Sequence, residues 1–472
     1  MANATTADGK SLRKFGVIDK LSYAAGDFGC NMSFALKGSL TLFWTQFIGI
    51  NQLVMASLLL LVQVWDAIND PLIGSMVDAD RRHYKRNKFL AYINAGGIGL
   101  TVAGALCFLP VQGLPEIAKM IMFVAGYVIW DACYTVANVP YGSLLSLITD
   151  DPVQRSQLST WRSAGSMIAN LGTSILLPMI IYDASNNLMG ERIFWIALIM
   201  GGIGLCCFQF MIRKTVIRVD TEVRAGEDAP KFNVFKAMGA FVRNRAAVGA
   251  TLAGMSTFIG MYGAQTAVQV LFQAYFKNAQ ISGLIGMISS MGIFLFLPFA
   301  TTITKKIGKK EFCTIGSIIA CVAYILMFVL PVTPDGQGLS LYVFCQVLAM
   351  IGNGYGTAVA WALIADAMDY EEWKLGTRNE GTTYALYSFF RKLAQGVGPS
   401  LGILMATLVG YNATLGPDQP MEVATNIRYL VPAMYLFGSV LALIAYGVLF
   451  NLDRKTLATM TEDLENRRKA GK

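Results

Sequence analysis

Asp66 and Asp70 stand four residues apart in Val64-Trp65-Asp66-Ala67-Ile68-Asn69-Asp70-Pro71-Leu72-Ile73-Gly74, within an apolar run that begins near Leu53. On a helix this spacing puts both carboxylates on one face with Cβ atoms ~6 Å apart, and Asn69 borders that face. Inside a membrane each acid costs ~2.5–3.5 kcal/mol on insertion scales. Two acids one turn apart also repel each other unless a cation or a proton lies between them. The pair therefore reads as a cation site. Two carboxylates suit a hard ion such as Na+, with Asp66 and Asp70 as its metal ligands, and they suit a shared proton equally.

The elements that must carry these acids are membrane helices. Of 472 residues, 54% are hydrophobic and only 14% charged, against about 25% charged in soluble proteins. The eight cysteines nearly all lie in apolar segments and form no CxxC pair, so they read as small buried hydrophobes, and the one histidine, His83, lies in a basic loop. The net charge of +8 is spread over short segments between apolar runs, a pattern of membrane topology and not of nucleic-acid binding.

About twelve segments are long enough to span a ~30 Å hydrocarbon core: 21–48, 53–78, 89–110, 117–146, 160–183, 192–213, 244–275, 280–302, 312–331, 340–368, 382–411 and 427–450. Alternate connections are basic, such as Arg81-Arg82-His83-Tyr84-Lys85-Arg86, Arg213-Lys214 and Lys305-Lys306, while those between them (49–52, 111–115, 183–189, 333–338) are poor in Lys and Arg. With twelve spans every basic loop falls on one side, which places both termini in the cytoplasm. The longest charged stretch divides the chain into similar halves. The domains are then a six-helix bundle at 1–213, a cytoplasmic linker at 214–243, a second bundle at 244–451 and a cytoplasmic tail at 452–472. The loops 148–157 and 368–380 echo each other, with acids at a helix end followed by Arg-x-Gln or Arg-x-Glu. Two such halves suggest the parallel repeat of an all-α major-facilitator fold with pseudo-symmetric halves.

Other polar residues fall within the spans: Asn31 and Lys37, Asp131, Thr135 and Asn138, Arg162, Asn353, and Arg391 with Lys392. Arg162, Lys392 and carboxylates lining a wet cavity would suit a hydroxyl-rich substrate, because charge-assisted hydrogen bonds to hydroxyls are strong. A simpler reading lets Asp66 and Asp70 balance Arg162 and Lys392 as structural ion pairs. Lys37 reads as a residue snorkelling to an interface, and Asp131 divides evenly between packing and function. No nucleophile–base pair, metal cluster or Gly-rich phosphate loop is present, so an enzyme is not expected, nor a cofactor beyond a coupling ion, Na+ or H+.

The chain resembles the glycoside–pentoside–hexuronide:cation symporters, a major-facilitator family. The residues that carry the resemblance are Tyr23-Ala24-Ala25-Gly26-Asp27-Phe28-Gly29-Cys30-Asn31, Trp65-Asp66…Asn69-Asp70-Pro71…Gly74, Asn138-Val139-Pro140-Tyr141-Gly142-Ser143, Ala365-Asp366-Ala367-Met368-Asp369-Tyr370-Glu371-Glu372-Trp373 and Phe390-Arg391-Lys392-Leu393-Ala394. The resemblance implies that Asp66 and Asp70 are cation-site carboxylates joined by Thr135, with Asn69 beside them. It also implies that Arg162 and Lys392 serve the sugar and coupling sites. Asn31 and Asn138 stand where the melibiose-type pattern has sugar-binding aspartates, and Gly142 where it has a tryptophan, which tilts the expected substrate slightly towards an anionic one such as a hexuronide.

The expected function is cation-coupled symport of a sugar, glycoside, pentoside or hexuronide by alternating access. The protein would act as a monomer in the cytoplasmic membrane of a bacterium, with the lipid bilayer, the sugar and a monovalent cation as its partners and no nucleic acid. Ion pairs among Arg81, Arg82, Asp369, Glu372, Arg378 and Glu380 in the cytoplasmic loops are expected to gate it. The competing reading is a major-facilitator carrier of a non-sugar organic anion or lipid-like solute.

Overall fold

The computed structural model describes residues 13–80, 82, 84, 86–149, 151–219, 239, 241–294, 302, 306–376 and 380–470. Among them the chain is helical, with one isolated antiparallel bridge between Tyr182 and Leu188. The helices are α1 (Val17–Phe34), α2 (Lys37–Leu42), α3 (Gln52–Ala79), α4 (Lys88–Leu106), α5 (Glu116–Ile148), α6 (Pro152–Ile181), α7 (Gly190–Lys214), α8 (Arg245–Val270), α9 (Ser282–Phe294), α10 (Lys309–Val329), α11 (Gly336–Leu375), α12 (Glu380–Leu408), α13 (Met421–Ile444) and α14 (Arg454–Ala470). Eight of the described helices, α3 to α7, α10, α11 and α13, are long and apolar enough to cross a membrane.

The chain forms two compact units. The first comprises Met1–Ile50, Val64–Asp183 and Leu188–Pro230, and the second Asn51–Gln63, Ala184–Asn187 and Lys231–Lys472. In the first unit α1 packs on α6 and α7, and α4 on α5 and α7. In the second, α8 packs on α12 and α13, α10 on α11 and α13, and α9 on α11. The start of α3 groups with the second unit, where Gln63 Nε2 donates to the Lys392 carbonyl at 3.2 Å and Ser400 Oγ to the Ala56 carbonyl at 2.6 Å.

Without a hydrophobic drive between helices in lipid, close approach of backbones does the packing. A Cβ at Gly165 of α6 would run into the Ala24 carbonyl of α1. In the second unit, Gly316 and Gly352 each face the other's carbonyl across the α10–α11 contact. The side chains of α3 show the membrane pattern in reverse of a soluble helix. Leu61, Val64, Ile68, Leu72 and Met76 are exposed, while Val62, Gln63, Asn69, Ile73 and Val77 are buried. Gln63 and Asn69 of α3 therefore point inward, where protein partners satisfy them.

Two details go beyond the expected spans. The first span, 21–48, is not one regular α-helix: between α1 and α2 the helical turn at Ala35–Leu36 tightens while its dihedrals stay right-handed, and α2 then runs into a π-helical turn at Phe43–Phe47. The tail is a docked helix, α14, with Met460 and Leu464 buried and Asp463 Oδ2 accepting from Trp373 Nε1 at 3.0 Å.

Candidate coupling and substrate site

On α3, Asp66, Asn69 and Asp70 meet residues of α5. Asn69 is fully buried. Its Nδ2 donates to Thr135 Oγ1 at 2.8 Å, to Asp131 Oδ2 at 3.0 Å and to the Asp131 carbonyl at 3.2 Å. Thr135 Oγ1 in turn donates to Asp70 Oδ1 at 2.9 Å. Asn69 is thus held in one orientation, and its Oδ1 is left buried without a hydrogen-bond partner. An orphaned amide oxygen costs ~1–3 kcal/mol. Beside a carboxylate and a hydroxyl oxygen, it is suited to a small cation or to a proton donor. Asp131, evenly balanced on sequence, belongs to this network.

Asp66 departs from the expected pairing. Lys37, the first residue of α2, lies with Nζ 3.5 Å from Asp66 Oδ2. The same ammonium stands 5.5 Å from the Phe34 ring centroid and 5.3 Å from that of Tyr127. Lys37 does not snorkel, because it has a carboxylate and two aromatic faces to satisfy its charge inside the unit.

A second cluster joins α1 and α6. Arg162 Nε donates to Asp27 Oδ1 at 2.9 Å. Asn31 Nδ2 donates to Asp27 Oδ2 at 3.1 Å and to the Asp27 carbonyl at 2.8 Å, and Asn31 Oδ1 accepts from Asn170 Nδ2 at 2.9 Å. The Arg162 guanidinium also stacks 4.9 Å from the Tyr141 ring, whose hydroxyl donates to the Tyr23 carbonyl at 2.8 Å. Asn138 touches this cluster only through Cys30, whose Sγ lies 3.9 Å from its Oδ1. Gly142 borders open space, with no atom within 4 Å of where a Cβ would stand.

In the first unit, then, the counter-charge of Arg162 is Asp27, and that of Asp66 is Lys37. Asp27 and Asn170 are the site residues that sequence reasoning missed. The signal was present: Asp27 lies four residues before Asn31 and Asn170 eight after Arg162, both helical same-face spacings. An acid therefore stands one turn from Asn31, and the pocket is less cationic than the exchange of aspartate for Asn31 and Asn138 suggested.

Lys392 lies on α12 of the second unit, where its carbonyl accepts from Gln63. The neighbouring Arg391 stacks 5.3 Å from the Phe258 ring, consistent with adjacent residues facing different ways. Of the expected gating residues, Arg81 and Arg378 lie outside the described residues, as does the side chain of Glu380. The Arg82 amide donates to Asp80 Oδ1 at 2.9 Å, and Glu372 accepts the Gly376 amide that closes α11. Asp80 also accepts from the hydroxyls of Tyr84 and Tyr92, at 2.5 and 2.8 Å. The Tyr84 bond, then the Arg82 amide and the Tyr92 bond, bring its pKa down to about 2, which keeps this exposed loop anchor ionised.

All-helical units of apolar helices with charged residues turned inward describe a membrane carrier. Solved structures share this architecture. The D-xylose–proton symporter superposes with a TM-score of 0.61 at 14% identity, over 93% of this chain and 98% of that one. The chain belongs to the family described as "MFS/sugar transport protein", whose pattern matches residues 22–454, the glycoside–pentoside–hexuronide group of the major facilitators. It is 30% identical over 460 residues to the uncharacterized symporter YjmB of Bacillus subtilis, covering 96% of each chain. It is 28% identical to the glucuronide carrier protein homolog of Escherichia coli, covering 95% of each. The protein is thus a multi-pass membrane transporter and not an enzyme.

Proposed function

We propose that the protein is a symporter that uses a cation gradient, Na+ or H+, to import a sugar or glycoside, including pentosides and hexuronides, across the cytoplasmic membrane of a bacterium. The observation that carries this reading is the buried chain Asp131–Asn69–Thr135–Asp70, an oxygen-rich cluster that ties α3 to α5 and leaves Asn69 Oδ1 orphaned among acceptors. The kinship with a glucuronide carrier supports a sugar-type cargo. The Asp27–Arg162–Asn31 cluster offers both acceptors and donors, which is what vicinal hydroxyls require. Because Asp27 offsets Arg162, this cluster recognises hydroxyls, and the carboxylate of a hexuronide is a tolerated feature rather than the anchor.

Coupling follows from linkage. A cation that neutralises the α3 acids raises substrate affinity, and the substrate raises cation affinity by the same factor. The test is uptake of labelled glycosides, pentosides and hexuronides into proteoliposomes, with Na+ and pH gradients imposed separately. At least one gradient should drive accumulation, and Asp70→Cys should abolish it while leaving the protein inserted and folded. Gradient-driven uptake that survives in Asp70→Cys would sink the cation-site assignment. Accumulation of organic anions with no sugar transported would favour the competing cargo.

A further inference from the structure

Lys37 opens α2, and the two residues between it and α1, Ala35 and Leu36, keep right-handed helical dihedrals. Residue 37 therefore lies about 240° around the axis from Asn31, so the two address different neighbours. Asn31 meets α6, whereas Lys37 turns to Asp66 of α3 and Tyr127 of α5. The charged and titratable groups that face its ammonium are Asp66 on α3 and Asp131 and Tyr127 on α5. Asp131 is engaged by Asn69, which leaves Asp66 as the direct partner at 3.5 Å. The Phe34 and Tyr127 rings close the ammonium in, and the two side chains are only 24% and 13% exposed. A carboxylate and two aromatic faces are what holds an ammonium away from water.

A hard cation bridging Asp66 and Asp70 needs several oxygen ligands in its first shell. One of its two carboxylates already carries a positive charge. The bridging ion would sit within a few ångströms of that ammonium, at a depth where repulsion is poorly screened. Resting on the assignment of Asp66 and Asp70 as the coupling site, we propose that Lys37 is a tethered cation seated on Asp66 that excludes Na+ from the acid pair, so that this transporter is indifferent to Na+. Lys37 is then the residue that sets ion selectivity.

The test needs no substrate. The full-length protein, purified in detergent, is titrated with NaCl against choline chloride at constant ionic strength. Tryptophan fluorescence, to which Trp65 contributes beside Asp66, and thermal unfolding are both read. The wild type is expected to give no saturable Na+ response. Lys37→Met keeps the stem and removes the charge, and should gain such a response, with apparent Na+ affinity raised tenfold or more. Asp70→Asn in the Lys37→Met background should abolish the gain, and Lys37→Arg, which keeps the charge, should stay silent. Should Lys37→Met fail to fold, Lys37→Gln takes its place, and the wild-type titration stands without either. A saturable Na+ response in the wild type overturns the proposal, as does a folded, charge-free variant that remains silent. Failure of the underlying coupling-site reading looks different, as gradient-driven uptake that survives Asp70→Cys with these titrations unchanged.

Discussion

At the scale of single residues, the position of one counter-charge decides the character of each cluster. Arg162 and Asp27 form a pair in which the guanidinium is 36% exposed and the carboxylate 10%. Removing one partner of a fully buried pair costs ~3–5 kcal/mol, and partial exposure of Arg162 brings the expectation for Asp27→Asn down to about 1–2 kcal/mol. The variant should insert and fold with a modestly lower melting temperature. Its apparent affinity for the transported sugar should fall at least tenfold, because an acceptor for hydroxyls is lost and Arg162 is freed to swing; an unchanged KM in proteoliposome uptake would remove Asp27 from the substrate cluster. The acids at 66 and 70 were legible in the sequence because an i, i+4 pair of carboxylates in an apolar run has few alternatives. Lys37 was not legible as their neighbour. Its reading as a snorkelling residue weighed the lysine alone, and the groups that hold its ammonium, Asp66 on α3 and Tyr127 on α5, are far from it in the chain. Asp27 was hidden likewise: its partner Arg162 is 135 residues away, and only the fold brings α6 against α1.

At the scale of elements, basic residues do more in the first unit than orient the chain. Lys88 Nζ donates to the Val77 carbonyl at the end of α3, Arg218 to the Ile148 carbonyl at the end of α5, and Arg86 to the Ile212 and Thr215 carbonyls at the end of α7. Each is a cation placed on the orphan carbonyls and negative pole of a helix C-terminus. The basic loops thus also cap the helices that end there, so the charge pattern was readable from sequence while its use as caps was not. Caps of this kind contribute about 0.3–1 kcal/mol each, more where a guanidinium bonds two carbonyls. Arg86→Ala should therefore lower the thermal midpoint by a few degrees without changing the substrate KM. A KM shift with an unchanged midpoint would instead assign Arg86 to gating. The same reasoning covers α14. Expected as a cytoplasmic tail, it is held by two buried apolar residues, Met460 and Leu464, at the four-residue spacing of a single helical face.

For the whole molecule, two independent sequence signals, segment hydropathy and loop charge, agree on one topology, and the family pattern over residues 22–454 supplies the class. Eight described helices satisfy the membrane criterion on their own. The segments around α1, α8 and α12 fall short because they carry the charged, small and polar residues that a transport pathway needs. Polar residues lower the hydropathy of two of these helices, Asp27 and Asn31 on α1 and Arg391 and Lys392 on α12, whereas α3, α5 and α6 meet the criterion despite Asp66, Asp70, Asp131 and Arg162. A twelve-span arrangement with both termini in the cytoplasm, as the charge pattern predicts, would place the Asp80 and Asp453 loops inside and the Asp335 loop outside. In a variant with the eight native cysteines replaced, single cysteines at Arg82 and Lys455 should resist a membrane-impermeant maleimide in intact cells and react after permeabilisation. A cysteine at Gln337, next to the Asp335 cap of α11, should react without permeabilisation. Because each span crossed inverts the side of everything after it, an odd number of spans between these probes would expose Lys455 from outside, and labelling there in intact cells would overturn the two-bundle reading of the chain.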